Sequence, residues 1–597
     1  MRSLFFLILL TIVTVSSFGQ SVREQEFNYR MQMALDRLTQ DQYHPVFTKE
    51  FILADVKLDP NNPRRFYNFS GDLSGRYIEV ISLFPEAKSL VPLPQLVDEL
   101  LTYQQSDGRF GDASLKFVAS EIGGEHMALL WGNGRLLVGL MHYYQQTQDG
   151  DVLEAATRLG DFFISTYEAC AKPEVRKKLE GFGAKGIICF TQYIEGLVML
   201  SQATERPRFA RAAAKTYPLL PPPGKQHSHG YLTTLRGVLK LYEYNGDQKQ
   251  LQHVQRSYRA LVNSNNYTLF GSVPEYFGGK GTRDEGCSTA DFIRLGLHLY
   301  QLTQDTAYRN QAEHALYNAL YFNQYATGDF GHHHLTGQGV APNYRHAAWW
   351  CCTMHGLRAM REIQQEYMVH ADAERLKLDL LLETEYTDDK HTFSLHHLDS
   401  EDSLYQYQIR VSKWADKTLL SVRVPAWAEL ASVEINDQNA GTDIRNGYLA
   451  LSSVPKMGDR INLAFRFKTT LVNEKNEEIE FSGNQVAGIL KHGPYLMGVD
   501  DRIDPTFNAE PHDNVVLTNS LQPTTANMQD IFISDVAITA TYQHGGFLSR
   551  LQTIMIPVAE QTFTGHSFFK MKIDFATETE GANASFDMLN PWQPNRQ

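Results

Sequence analysis

The sequence predicts a closed (α/α) helical barrel followed by β-sandwich modules, and three observations carry that prediction. Helical apolar spacing recurs from about Asn28 to Leu380, in helix–turn–helix units roughly 45–55 residues apart. After about Leu380 the pattern shortens to alternating strand candidates with turn residues between them. The chain has 597 residues, 43% of them apolar, so it can fill several domains of roughly 150 residues each.

Taken in order, the elements begin with a segment outside the fold. Met1–Gln20 has one early Arg, an apolar run from Leu4 to Val15, and Ser17-Phe18-Gly19 before Gln20. Residues 1–19 therefore read as a cleaved signal peptide. The run is shorter than the ~20 residues a membrane span needs. No later segment reads as transmembrane, so the expectation is a periplasmic or secreted bacterial protein. Residues 20–380 form the expected barrel. Its helices are punctuated by Thr147-Gln148-Asp149-Gly150, Thr204-Glu205-Arg206, Asn245-Gly246-Asp247 and Thr303-Gln304-Asp305. Their irregular spacing lacks the fixed period of a repeat array, which favours a closed barrel whose loops carry a site. Residues 381–480 read as a β-sandwich, with Asn446-Gly447 as a hairpin turn before Tyr448. Residues 481–597 read as a second sandwich or its continuation.

Charge and composition narrow the function. Lys plus Arg number 55 against 68 Asp plus Glu, a net −13. Such acidity argues against nucleic acid, which needs a basic footprint. Phe and Tyr number 33 and 29, a supply of rings that suits sugar stacking as well as a core.

The five cysteines are Cys170, Cys189, Cys287, Cys351 and Cys352. An odd count leaves at least one outside any intrachain disulfide, and adjacent Cys351-Cys352 are poorly suited to bridging each other. The segment Thr282 to Ser288 precedes a helix, with Ser288 and Asp291 as a capping-box-like start. Gly286 allows a turn that aims Glu285 and Cys287 at one centre. Cys351 and Cys352 stand at the start of another helix, where thiols ionise more easily. Three thiols and a carboxylate make a tetrahedral Zn²⁺ set. That set is compatible with a structural zinc site, with a catalytic one, or with buried thiols and no metal. His332-His333-His334 reads as a loop bordering the cleft. Asp107 to Asp112 and Trp131-Gly132-Asn133-Gly134 read as Gly-rich turns at the barrel mouth.

Glu285-x-Cys287 and Cys351-Cys352, in a helical domain followed by sandwiches, resemble the glycoside hydrolase family 127 β-L-arabinofuranosidases. Val422-Arg423-Val424-Pro425-Ala426-Trp427, Asn446-Gly447-Tyr448 and Lys491-His492-Gly493-Pro494-Tyr495 add to the likeness. The resemblance implies an (α/α)6 barrel and Zn²⁺ held by Glu285, Cys287, Cys351 and Cys352. It implies that Cys351 is the nucleophile of a retaining hydrolase and that Glu275, in Gly271 to Glu275, is the acid/base. Arg135 and Thr191 stand where family histidines hold substrate, and a third such histidine matches His229 or His227. His229 and Arg135 are thus the expected substrate contacts, and a glycan is the expected partner. Thr353-Met354-His355 replaces a Pro-rich continuation common in the family. Two other functions fit the pattern: a non-catalytic carbohydrate-binding protein with a structural zinc, and a polysaccharide lyase on an (α/α) toroid.

Overall fold

The computed structural model describes residues 26–576, except 62–65, 67, 279–282, 334, 337–338, 341–346, 373, 402–403, 416, 452, 481–485, 506, 508–511, 517–535, 545–549 and 561–568. Residues 1–19, read above as a signal peptide, Thr282 and His334 lie outside the described residues.

Six helices form an inner ring: α1 Asp72–Ser82, α2 Gly124–Thr147, α3 Ile194–Thr204, α4 Ser228–Asn245, α5 Gly286–Thr303 and α6 Trp350–Glu362. Each packs on the next, and α6 returns to α1. Helices such as Gly150–Cys170, Arg208–Thr216, Gln248–Val262 and Thr306–Ala315 alternate with them in the chain and lie outside. This is an (α/α)6 barrel. Every residue of α1 is buried, whereas Gly150–Cys170 buries one stripe, as an outer helix must.

The polar turns work as capping devices. After Thr147 and Thr303, Gln148 and Gln304 adopt left-handed conformations (φ 56° and 58°) that end the inner helices. The next residues, Asp149 and Asp305, accept from Asp151 and Ala307 amides and so start the outer helices. Trp131 to Gly134 is a correction: it is not a turn but lies inside α2. Its glycines permit close packing, since a methyl on Gly132 would sit 2.3 Å from the Ser70 carbonyl. Gly75 does the same between α1 and α2, where a methyl would meet Leu136 Cα at 2.5 Å. Overpacking of that kind costs about 1–3 kcal/mol.

Strand structure starts earlier than Leu380. The last helical turn ends at Tyr367, and Val369–Ala371 pairs with Arg375–Leu378. Four residues of alternating burial are too short a signal to separate from a helix end in sequence. The middle module has a five-stranded and a six-stranded sheet. Asn446 and Gly447, both at positive φ, join Ile444–Arg445 to Tyr448–Ala450 as the hairpin motif requires. Among the described residues, the later strands join in one continuous sheet. Val486–His492, Lys572–Ala576, His512–Val516, Ile538–His544, Arg550–Pro557 and Tyr495–Asp500 pair in that order and return to the first, a closed ring. Closure leaves those strands no free edge.

The sandwich motifs hold the modules to the barrel. Arg423 clasps both oxygens of Glu313 (2.7 and 2.8 Å), and Trp427 Nε1 donates to the same carboxylate at 3.0 Å. Tyr448 hydroxyl bonds Asp379, Tyr300 and Arg309. No described helix is long and apolar enough to cross a membrane.

Candidate active site

The start of α5 supplies the first two donors. Glu285 is its N-cap and Cys287 its second residue. The capping-box expectation at Ser288 is corrected here, because the helix begins before it. Ser288 instead donates to Glu285 Oε2 at 2.8 Å and orients that carboxylate. Gly286 is helical, and its role is close approach rather than a turn. A methyl there would stand 2.6 Å from Asn323 Oδ1 and 3.1 Å from Cys352 Cβ. The start of α6 supplies Cys351 and Cys352, and unpaired helical amides at both starts favour anions.

The four donor atoms of Glu285, Cys287, Cys351 and Cys352 all lie within 4.8 Å of one another. Cys287 and Cys352 sulfurs are 3.7 Å apart. Each S···S edge of a tetrahedron with ~2.3 Å Zn–S bonds would be about 3.75 Å long, so the spacing fits zinc. The chemistry fits as well. Burial, with Glu275 and Cys351 nearby, pushes the Glu285 carboxyl well above its usual range, and burial pushes Cys287 and Cys352 up too. A cation is what lets such a cluster ionise together. All five cysteines are free thiols.

Cys287 and Cys352 are wholly buried, whereas Cys351 reaches a cleft of about 250 Å³. Hydrogen bonds from Cys287 and Cys352, with Arg76 close by, hold the Cys351 thiol well below its ordinary range. Glu275 lines the same cleft, not an exposed loop. Its carboxylate pairs with Arg283 (Nε at 2.7 Å) and lies 3.7 Å from His332 Nε2. Burial raises its pKa, and Arg283 opposes the rise. Trp131, Trp349, Trp350 and Tyr276 supply ring surfaces around this space. His332 borders the cleft as the sequence suggested, while His333 is buried behind it.

His229 and Arg135 fare differently. His229 lines the cleft, but both ring nitrogens are engaged, Nε2 with Arg76 at 2.8 Å and Nδ1 with Asp291 at 2.5 Å. Its neighbour His227, under the Tyr276 ring, keeps Nδ1 without a hydrogen-bond partner among the described residues. Arg135 is a correction: it does not line the cleft. It is wholly buried between Glu79 (3.7 Å) and Glu195 (3.8 Å), and burial lowers its pKa to about 10. A long side chain from mid-α2 faces the barrel axis, where acidic partners from α1 and α3 meet it.

Arg76 is the residue that sequence reasoning missed. It lies on the cleft floor, paired with Asp72 one turn earlier at 2.8 Å. The i,i+4 ion pair inside an apolar helical run was the available signal. His229, Asp291 and His355 also bring donor atoms within 4.8 Å. They are not a metal site, because Arg76 already bonds one nitrogen of each ring and stands as a cation among them.

A family model described as the GH127 β-L-arabinofuranosidase catalytic domain matches residues 13–365, and the GH127 middle-domain model matches 367–467. Among solved structures, the chain is similar to Ara127N-Se, a GH127 β-L-arabinofuranosidase from Geobacillus stearothermophilus T6. The TM-score is 0.66 at 14% identity, over 93% of this chain and 99% of that one. It is also similar to the GH127 β-arabinofuranosidase BT3674, with a TM-score of 0.65 at 15% identity, over 94% and 95%. At such identities the structural likeness speaks to the fold. No curated protein sequence matches the chain.

Proposed function

We propose, for a chain that belongs to the GH127 β-L-arabinofuranosidase family and is therefore a glycoside hydrolase, that it removes a sugar from a glycan with retention, using Cys351 as nucleophile. Family membership sets aside the non-catalytic and lyase readings. The observation that carries the proposal is that Cys351 alone of the three clustered thiols reaches the cleft that Glu275 also lines.

In the first step the Cys351 sulfur attacks the anomeric carbon, forming a C–S bond as the C–O bond breaks. Glu275 gives its proton to the leaving oxygen. In the second step Glu275 takes a proton from water, the water oxygen bonds to the anomeric carbon, and the thiolate departs. Two displacements restore the starting configuration. Glu285, Cys287, Cys351 and Cys352 would hold Zn²⁺. When bound, the ion would keep the thiols ionised near neutral pH and make Cys351 a good leaving group. The surrounding rings give the sugar faces to stack on. L-Arabinofuranosides are the first substrates to test, by analogy with the similar proteins named above.

About one Zn²⁺ per chain is expected, with thiolate distances near ~2.3 Å. Hydrolysis of aryl L-arabinofuranosides should cease on chelation and return with zinc. A metal-free protein that hydrolyses at full rate would overturn the zinc assignment. We also propose export to the periplasm or medium, which the character of residues 1–19 supports. A mature protein that keeps Met1 would contradict it.

A further inference from the structure

Arg76 meets three side chains from three other helices, and its chemistry fixes theirs. Its Nε donates to Asp72 Oδ1 at 2.8 Å. Nη1 lies 2.8 Å from His355 Nδ1 and 3.9 Å from Cys287 Sγ, and Nη2 lies 2.8 Å from His229 Nε2. A guanidinium has only hydrogens to offer. His355 Nδ1 and His229 Nε2 must therefore both be bare acceptors, and each ring carries its hydrogen on the other nitrogen. His229 Nδ1 donates to Asp291 Oδ2 at 2.5 Å, and His355 Nε2 lies 3.6 Å from the same oxygen. Both imidazoles are neutral, so Arg76 is the cation of this group, with Asp72 and Asp291 as anions on either side. Asp291 is fixed in turn by Thr233 (2.9 Å), Arg236 (3.0 Å) and Arg294 (3.1 Å). The whole chain of contacts is buried.

We propose that Arg76 is a positioning residue of the thiol centre, braced against the sulfurs by His229 and His355 standing on Asp291, and that it balances the charge of the metal-loaded cluster. This rests on the metal reading given above. A divalent cation ringed by three thiolates and a carboxylate keeps a formal charge of about −2. Burying that excess unpaired is costly. A guanidinium fixed 3.9 Å from Cys287 Sγ, its charge shared with Asp72 on the other side, places positive potential at the side of the cluster facing α1. The two histidines explain why the fork stays there: each supplies an acceptor that only an oriented planar guanidinium reaches at once.

Zinc release from the full-length, zinc-loaded protein to a chromogenic chelator tests this without relying on activity. Outer partners of metal ligands typically contribute about 10–100-fold in metal affinity or activity. Arg76→Met should therefore release zinc about 10–100-fold faster than wild type. His355→Leu, which removes an acceptor, should do likewise. His355→Asn, whose Oδ1 stands where Nδ1 does and accepts from Nη1, should stay within roughly threefold of wild type. If Arg76→Met fails to fold, the two His355 variants still decide. The proposal is overturned if Arg76→Met holds zinc as tightly as wild type, or if His355→Asn releases it as fast as His355→Leu. A wild-type protein that binds no zinc would overturn the metal reading itself, which the wild-type control reveals separately.

Discussion

Replacing Cys351 by serine is expected to lower turnover by about 10³-fold or more on every glycoside, because it removes the atom that bonds to the sugar. A serine hydroxyl is not ionised near neutral pH and is a poor zinc ligand. The position matters as much as the element. Cys287 and Cys352 sit behind Cys351, wholly buried, and their hydrogen bonds favour its ionised form. Cys352→Ser should therefore act by weakening the metal set rather than by deleting the nucleophile. Steady-state rates with zinc content measured on the same samples separate the two. If Cys351→Ser keeps roughly a tenth of wild-type activity while Cys352→Ser loses all, the nucleophile is the other thiol.

Glu275→Gln carries the second large effect, and it depends on the leaving group. Protonating the departing oxygen typically contributes about 10²–10⁴-fold. A sugar alcohol needs that proton, so hydrolysis of natural glycosides should fall by a factor in this range. An activated phenol leaves without it, so the first step should survive while the second, which needs Glu275 as base, slows. The pH dependence follows from the direction of the shift. Burial raises the Glu275 pKa, so its acid form persists to higher pH than an ordinary glutamic acid. Activity on natural glycosides should fall as pH rises through that raised value, and Glu275→Gln should lack this limb. Arg283 holds the value down, so Arg283→Gln should move the limb to higher pH. A fall of less than about threefold in Glu275→Gln would assign the acid to another carboxylate.

What could be read from the sequence was local chemistry. Thr147 to Gly150 and Thr303 to Asp305 announce a helix end and a helix start within four residues, and both devices occur where expected. Asn446-Gly447 specifies a hairpin by its own φ preferences. Glu285, Cys287, Cys351 and Cys352 were legible as one set because three thiols and a carboxylate stand at two helix starts, while their roles came from the family resemblance. What failed was whatever depends on a distant partner. Gly132 and Gly134 look like turn residues until the Ser70 carbonyl and the chain at Gln192 are seen pressing on them. Arg135 stands beside the right motif but faces Glu79 and Glu195 across the barrel. Arg76 makes its defining contacts with residues 153, 211 and 279 positions away, a separation no spacing rule spans. The later strands close into a ring by pairings as remote as Val486 with Phe575, which periodicity alone does not order.

The central claim is a covalent bond between the Cys351 sulfur and the anomeric carbon. Glu275→Gln protein mixed with an aryl L-arabinofuranoside, quenched in acid, digested and analysed by mass spectrometry tests it most directly. The account predicts a peptide heavier by one sugar minus one water, with fragmentation placing that mass on Cys351. The same mass found on Glu285 or another carboxylate, or no adduct in a protein that still releases the phenol in a stoichiometric burst, would contradict it.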